Sequence, residues 1–191
     1  MGTGQQIVAA VECGAAVIRA YQVALIPGLA QTAEYARCRA VAAGDPDPSA
    51  VVDGRMRRQQ QITADGTRLD IVIEDLALRR LVAPPEVMAE QLYHLVALAE
   101  RPDVSVRVLP PDARLDVGWA PTSPFSVYSY PDPADPTIVL LDVVGQTPSP
   151  LAEPDATRLY VQLHQRLAGA ALSDVDSAAL IKDAADRMAG R

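Results

Sequence analysis

Three short runs rich in β-branched and aliphatic residues, Val17-Ile18-Arg19-Ala20-Tyr21, Leu69-Asp70-Ile71-Val72-Ile73-Glu74 and Val104-Ser105-Val106-Arg107-Val108-Leu109, are separated by stretches of helical periodicity. This spacing constrains the fold more than any other feature. Strands that alternate with helices belong in a sheet covered by those helices. Two further runs, 125–130 and 137–142, flank the turn-rich Pro131-Asp132-Pro133-Ala134-Asp135-Pro136 and predict an antiparallel pair. Helices are expected over 5–16, 32–43 and 49–64, as a turn over 75–80, and from Pro84-Pro85 onward with Met88, Leu92, Leu95 and Ala99 as the apolar stripe. The helical C-terminal segment, 153–189, carries Leu159, Leu163 and Leu167 on one face and Ser177, Ile181, Ala184 and Met188 on another, with Ser173 and Asp176 resembling a capping box. The expectation is a mixed α/β (α+β) fold, with about five strands flanked by about six helices. No linker divides residues 1–191, so one domain is expected.

The connection Ile26-Pro27-Gly28-Leu29-Ala30-Gln31-Thr32-Ala33-Glu34-Tyr35-Ala36-Arg37 links the first strand to the first long helix. Pro27 fixes its own φ, Gly28 is expected to take a positive φ in a tight turn, and Thr32 stands as the helix N-cap.

Composition bounds the function. The formal charge of −7, with Lys182 the only lysine, disfavours direct binding to nucleic acid. One Trp and one Phe imply an aliphatic core and no platform for stacking bases. Two cysteines, Cys13 and Cys38, build neither a disulfide framework nor a four-ligand zinc site, and are read as reduced small hydrophobes. Neither a signal peptide nor a membrane span is visible, which makes the cytoplasm the expected location. Common phosphate-loop, dinucleotide, metalloprotease and nucleophile-elbow motifs are absent, so no cofactor and no metal are expected.

Few side chains stand out chemically. Arg55, Arg57 and Arg58 form the only basic cluster, and Arg55, Arg58, Gln59 and Ile62 fall on one helical stripe. Guanidinium forks suit an anionic ligand, but the simpler expectation is an ion pair with Glu74 or Asp75. Glu74, ending a strand, is a candidate general base if buried. Trp119, Tyr128 and Tyr130 around a long loop suit a pocket rim and suit plain packing equally. His94 and His164, each alone in a helix, read as surface or core-edge residues.

Taken in order, Glu12, Ile26-Pro27-Gly28-Leu29-Ala30-Gln31-Thr32 with Tyr35-Ala36-Arg37, Arg55-x-x-Arg58-Gln59, Ile71-Val72-Ile73-Glu74 with Leu78-Arg79-Arg80, Val87-Met88 with Gln91-Leu92, Val106-Arg107-Val108-Leu109-Pro110, and Ala171-Leu172-Ser173 with Ser177 and Leu180-Ile181 resemble one family. It is the C-terminal domain of unknown function of actinobacterial XRE-type helix-turn-helix regulators, the antitoxin-like or WhiJ-like transcriptional regulators. The resemblance covers nearly the whole chain. It implies a domain that senses a ligand or a small partner protein. The DNA-reading helices precede that domain and find no room before Gln5, so DNA binding is not carried over. The loop over 113–121 and the segment over 146–150 depart from the family pattern.

Two expectations follow. The first is a regulator-derived sensor or interaction domain, standing alone, that binds a small molecule or a small partner protein. The second is a cofactor-independent enzyme, of cyclase or isomerase type in natural-product biosynthesis, recruited from the same scaffold. Gln31, Tyr35, Arg55, Arg58, Glu74, Trp119 and Tyr128 are the candidate ligand contacts, with Glu74 and Arg58 the catalytic candidates in the second case. A homodimer is the default assembly.

Overall fold

The computed structural model describes residues 3–115, 121, 123–142 and 148–190. Five strands, β1 (Val17–Gln22), β2 (Arg68–Glu74), β3 (Val104–Leu109), β4 (Phe125–Ser129) and β5 (Ile138–Leu141), form one mixed sheet in the order β3-β2-β1-β4-β5. β1, β2 and β3 run parallel, each reached through helical crossovers, and β4 and β5 add as an antiparallel hairpin beside β1. The helices among the described residues are α1 (Thr3–Glu12), α2 (Ala33–Ala42), α3 (Pro48–Ala64), α4 (Asp75–Arg79), α5 (Pro85–Ala99), α6 (Pro154–Ala170) and α7 (Asp174–Ala189). A mixed sheet flanked by helices is therefore the fold, as the alternation predicts. None of the described helices is long and apolar enough to cross a membrane.

Strand alternation sends side chains to two different cores. Ile18 and Ala20, Leu69, Ile71 and Ile73, Val104, Val106 and Val108, Tyr128 and Leu140 join the core built with α1, α3, α5 and α7. Tyr21, Val72, Leu109, Phe125, Val127 and Val139 face the other way, onto Leu163, Leu167 and Ala168 of α6. Their aromatic centre is Phe125, whose ring lies 5.5 Å from Tyr21 and 5.1 Å from Tyr160. Of the three leucines expected on one face of this helix, Leu163 and Leu167 are buried but Leu159 is exposed, because each i+4 step drifts about 40° around the helix and carries Leu159 off the face defined by Thr157, His164, Leu167 and Ala168.

The first crossover differs from its expected form. Pro27 starts a single 3-10 turn over Gly28–Ala30, and Gly28 does not take a positive φ. The turn is held by side chains instead. The buried Gln31 donates to the Ile26 carbonyl at 2.6 Å, Gln59 of α3 to the Gly28 and Gln31 carbonyls at 2.9 Å each, and Gln91 of α5 to the Ala30 carbonyl at 2.8 Å. Gln91 also accepts from the Thr32 amide at 2.7 Å, and the Tyr35 hydroxyl accepts from the Ile26 amide at 3.3 Å. A buried turn needs such partners, since orphaned backbone groups cost about 1–3 kcal/mol each. Thr32 caps α2 as expected, accepting from the Tyr35 amide.

Candidate functional site

α5 and α7 pack together over the β2–β3 side of the first face, whereas the half formed by β4, β1 and part of β2 is covered by α1 and α3. That cover leaves a hollow of about 400 Å³. Ile18, Ala20, Leu69, Ile71, Ser126, Tyr128 and Leu140 make the floor. Val8 and Glu12 of α1, Arg55 and Arg58 of α3, and the Pro27–Gly28–Leu29 turn make the walls. A volume of this size with mostly apolar walls and a few converging polar groups is typical of a small-molecule site.

The polar groups gather on one side. Glu12 ends α1 and is buried, and its Oε2 lies 3.4 Å from Arg58 Nε, a charge contact without the geometry of a hydrogen bond. Arg55 donates from Nη1 to Gln31 Oε1, while its Nε has no acceptor among the described residues. Three of the buried polar atoms without a partner among the described residues, Glu12 Oε2, Arg55 Nε and Arg58 Nε, thus belong to the residues of this wall. Each would ordinarily be satisfied, because an unpaired buried polar atom costs more than a hydrogen bond returns.

The ionisation of these groups is shifted accordingly. Burial pushes the Glu12 carboxyl up to about 7, against the opposing pull of Arg58 and then Arg55. Burial, followed by repulsion from Arg58, lowers Arg55 to about 10. The Tyr128 hydroxyl is held above the ordinary phenol range, first by burial and then by the Glu12 charge. The Gly28 backbone comes close to both cations: a Cβ there would sit 3.5 Å from Arg55 Nε and 3.6 Å from Arg58 Nη2.

The sequence-derived candidates divide between places. Arg55, Arg58 and Tyr128 share the hollow, and Gln31 stands behind Arg55 and fixes its guanidinium. Tyr35 is fully buried in the core and holds the turn, so it supports the wall rather than lining it. Glu74 points to the opposite face of the sheet, where its Oε1 accepts from the Tyr21 hydroxyl at 2.6 Å. The expected ion pair between the arginine cluster and Glu74 or Asp75 is therefore not formed. Arg58 meets Glu12, Asp75 pairs with Arg79, and the exposed Arg57 donates to the Asp53 carbonyl at 3.2 Å. The reason is strand parity: even-numbered residues of β2 face away from α3. Trp119 lies outside the described residues.

Glu12 is the site residue that sequence reasoning about chemistry missed. The available signal was local, since it is the only charged side chain on α1 and lies one turn beyond Val8 on the same face. His164, expected at a surface or core edge, is instead buried under α6, and burial lowers its pKa, followed by opposing contributions from Asp70 and Arg19. Cys13 is exposed and Cys38 partly so, both free. Among the described residues, His, Cys, Asp and Glu form no cluster of three suited to a metal ion.

The fold and hollow define an α/β domain with a charged, ligand-sized cavity on one face of its sheet. Residues 5–183 match the family described as a domain of unknown function, DUF5753, and the chain belongs to that family. No curated protein matches it.

Proposed function

We propose that this chain is the ligand-sensing domain of a regulator of the helix-turn-helix class, and that it binds a small, largely apolar molecule in the hollow between α1, α3 and the sheet without itself contacting nucleic acid. The observation that carries this reading is the convergence of three unpartnered buried polar atoms, on Glu12, Arg55 and Arg58, at the wall of an otherwise apolar cavity. A solid core would favour a protein-interaction surface, and a cavity favours a small ligand. The net charge of −7 supports the lack of direct nucleic-acid contact. The resemblance to regulator domains supports the sensing role.

A second reading has its own support. A carboxyl near neutrality in an apolar cavity, beside a buried tyrosine, has the ionisation that general acid–base catalysis requires. On that reading Glu12, rather than Glu74, is the acid or base of a cofactor-independent isomerase or cyclase.

A small-molecule library screened by thermal shift, with ligand and product analysed by mass spectrometry, tests both. A sensor returns its ligand unchanged, and an enzyme converts it. Ala20→Leu projects a larger side chain from the cavity floor and is expected to abolish the ligand-induced shift while circular dichroism still reports a folded chain. A shift that survives this filling places the ligand elsewhere and removes the reading.

A further inference from the structure

We propose that the molecule taken by this cavity is a monocarboxylic acid, its apolar body against Ile18, Ile71 and Leu140 and its carboxylate held by the guanidinium groups of Arg55 and Arg58. The proposal rests on the reading of the hollow as a binding site and adds the chemical class of the ligand.

The argument is one of charge and of hydrogen bonds. Two guanidiniums face one buried carboxylate, Glu12, which leaves one positive charge uncompensated at the wall. Asp142 also reaches the hollow, but it is exposed at the rim, where water screens it. Buried charge without a partner is costly, and the Nε atoms of both arginines lack an acceptor among the described residues. A neutral ligand would leave both deficits in place. With Glu12 ionised, a dianion would overshoot the charge and be repelled by its carboxylate. In that same state a monocarboxylate closes the balance and offers two acceptor oxygens to the guanidinium groups.

Glu12 then has a defined part. An incoming carboxylate near Oε2 is repelled by ionised Glu12 and accepts a hydrogen bond from protonated Glu12. The titratable groups facing it are Arg55 and Arg58 on α3 and Tyr128 on β4, with Asp142 at the rim. Binding of an acid is therefore accompanied by proton uptake at Glu12. Its carboxyl, already raised to about 7, makes that proton available near neutrality.

Matched pairs of carboxylic acids and primary amides on the same skeletons, such as octanoic acid with octanamide and phenylacetic acid with phenylacetamide, test the head group. Octyl phosphate serves as the dianion. Binding is followed by protein NMR at Gln5, Glu12 and Tyr128. Acids are expected to bind roughly tenfold or more tightly than amides, the ratio set by one charge-assisted pair. Acid affinity is expected to rise from pH 8 to pH 6, and that rise is expected to vanish in Glu12→Gln. Arg55→Lys keeps the charge and loses the planar guanidinium fork, so it is expected to lower acid affinity several-fold while amide affinity stays unchanged. Equal affinity for acids and amides overturns the head-group proposal and leaves the cavity reading standing. Tightest binding by octyl phosphate at pH 8, where the phosphate is dianionic and Glu12 largely ionised, overturns the monoanion. A folded protein with no perturbation at these residues from any probe removes the cavity reading and this proposal together.

Discussion

The two faces of the sheet both bury arginines, and they resolve the cost in different ways. Under α6, Arg107 donates to Asp70 at 2.8 Å and to the Ala168 carbonyl at 3.0 Å, Arg19 donates to Ser129 Oγ at 3.1 Å, and Tyr21 to Glu74 at 2.6 Å. Arg107 Nε and His164 Nε2 lack partners there among the described residues, yet two cations face two carboxylates and a whole helix packs over them. Under α1 and α3 the count is two cations to one buried carboxylate, with a hollow beside them. The difference separates buried charges that are balanced by the fold from those that are not. A balanced and covered cluster is structural, whereas the unbalanced one beside the cavity is what the proposed ligand would complete.

Removing one arginine from each face gives the largest separation. Arg107→Met strands Asp70 and the Ala168 carbonyl and is expected to lower unfolding free energy by about 2–3 kcal/mol, somewhat less than for a fully buried pair because both partners retain some exposure. Arg58→Met is expected to cost about 1 kcal/mol or less, since its Nε makes no hydrogen bond and Glu12 can take up a proton. Urea denaturation of both variants measures the contrast. Equal losses would erase the distinction between the faces.

The pH dependence of stability separates the faces by sign. Glu12 rises from 4.5 unfolded to about 7 folded, so the folded chain binds the extra proton between those values. That contribution is fully present below 4.5 and is lost as pH climbs through 7, a loss of about 3 kcal/mol. Glu12→Gln should flatten the fall in Tm between pH 5 and pH 8. His164 acts in reverse. Its folded pKa lies below the ordinary 6.5, so stability is full above 6.5 and is lost on acidification through the folded value. In the Glu12→Gln background, His164→Leu should reduce the acid slope to the part that His94, whose pKa burial also lowers, contributes. An unchanged slope assigns the acid sensitivity to other groups.

The smallest effect is expected at Gly28. Since its φ is not positive and a Cβ would meet the two guanidiniums at ordinary contact distances, Gly28→Ala should change unfolding free energy by less than about 0.5 kcal/mol. Calorimetry showing a much larger loss would mean that the turn cannot accommodate the methyl group and that the arginine wall is held more tightly than these distances imply.

Much of the local structure was legible before folding. The β-branched runs, Thr32 as a cap, Pro84-Pro85 opening a helix and Ser173 capping α7 all follow from side-chain chemistry that acts over a few residues. Arg55, Arg58 and Gln59 were placed on one stripe by the 3.6-residue period alone, and that stripe faces the turn and the hollow. Only the tertiary structure decided what the stripe meets. Glu12 lies 46 positions before Arg58, and no local rule links the two residues. The parity of β2, which sends Glu74 to the α6 face, depends on which side of the sheet each crossover covers. Long-range packing also turned the Ile26–Thr32 connection into a buried segment held by Gln31, Gln59 and Gln91. Periodicity fixes which side chains share a face, because it is a property of the backbone. Which faces meet, and which polar groups are left without partners, is a property of the whole packed chain.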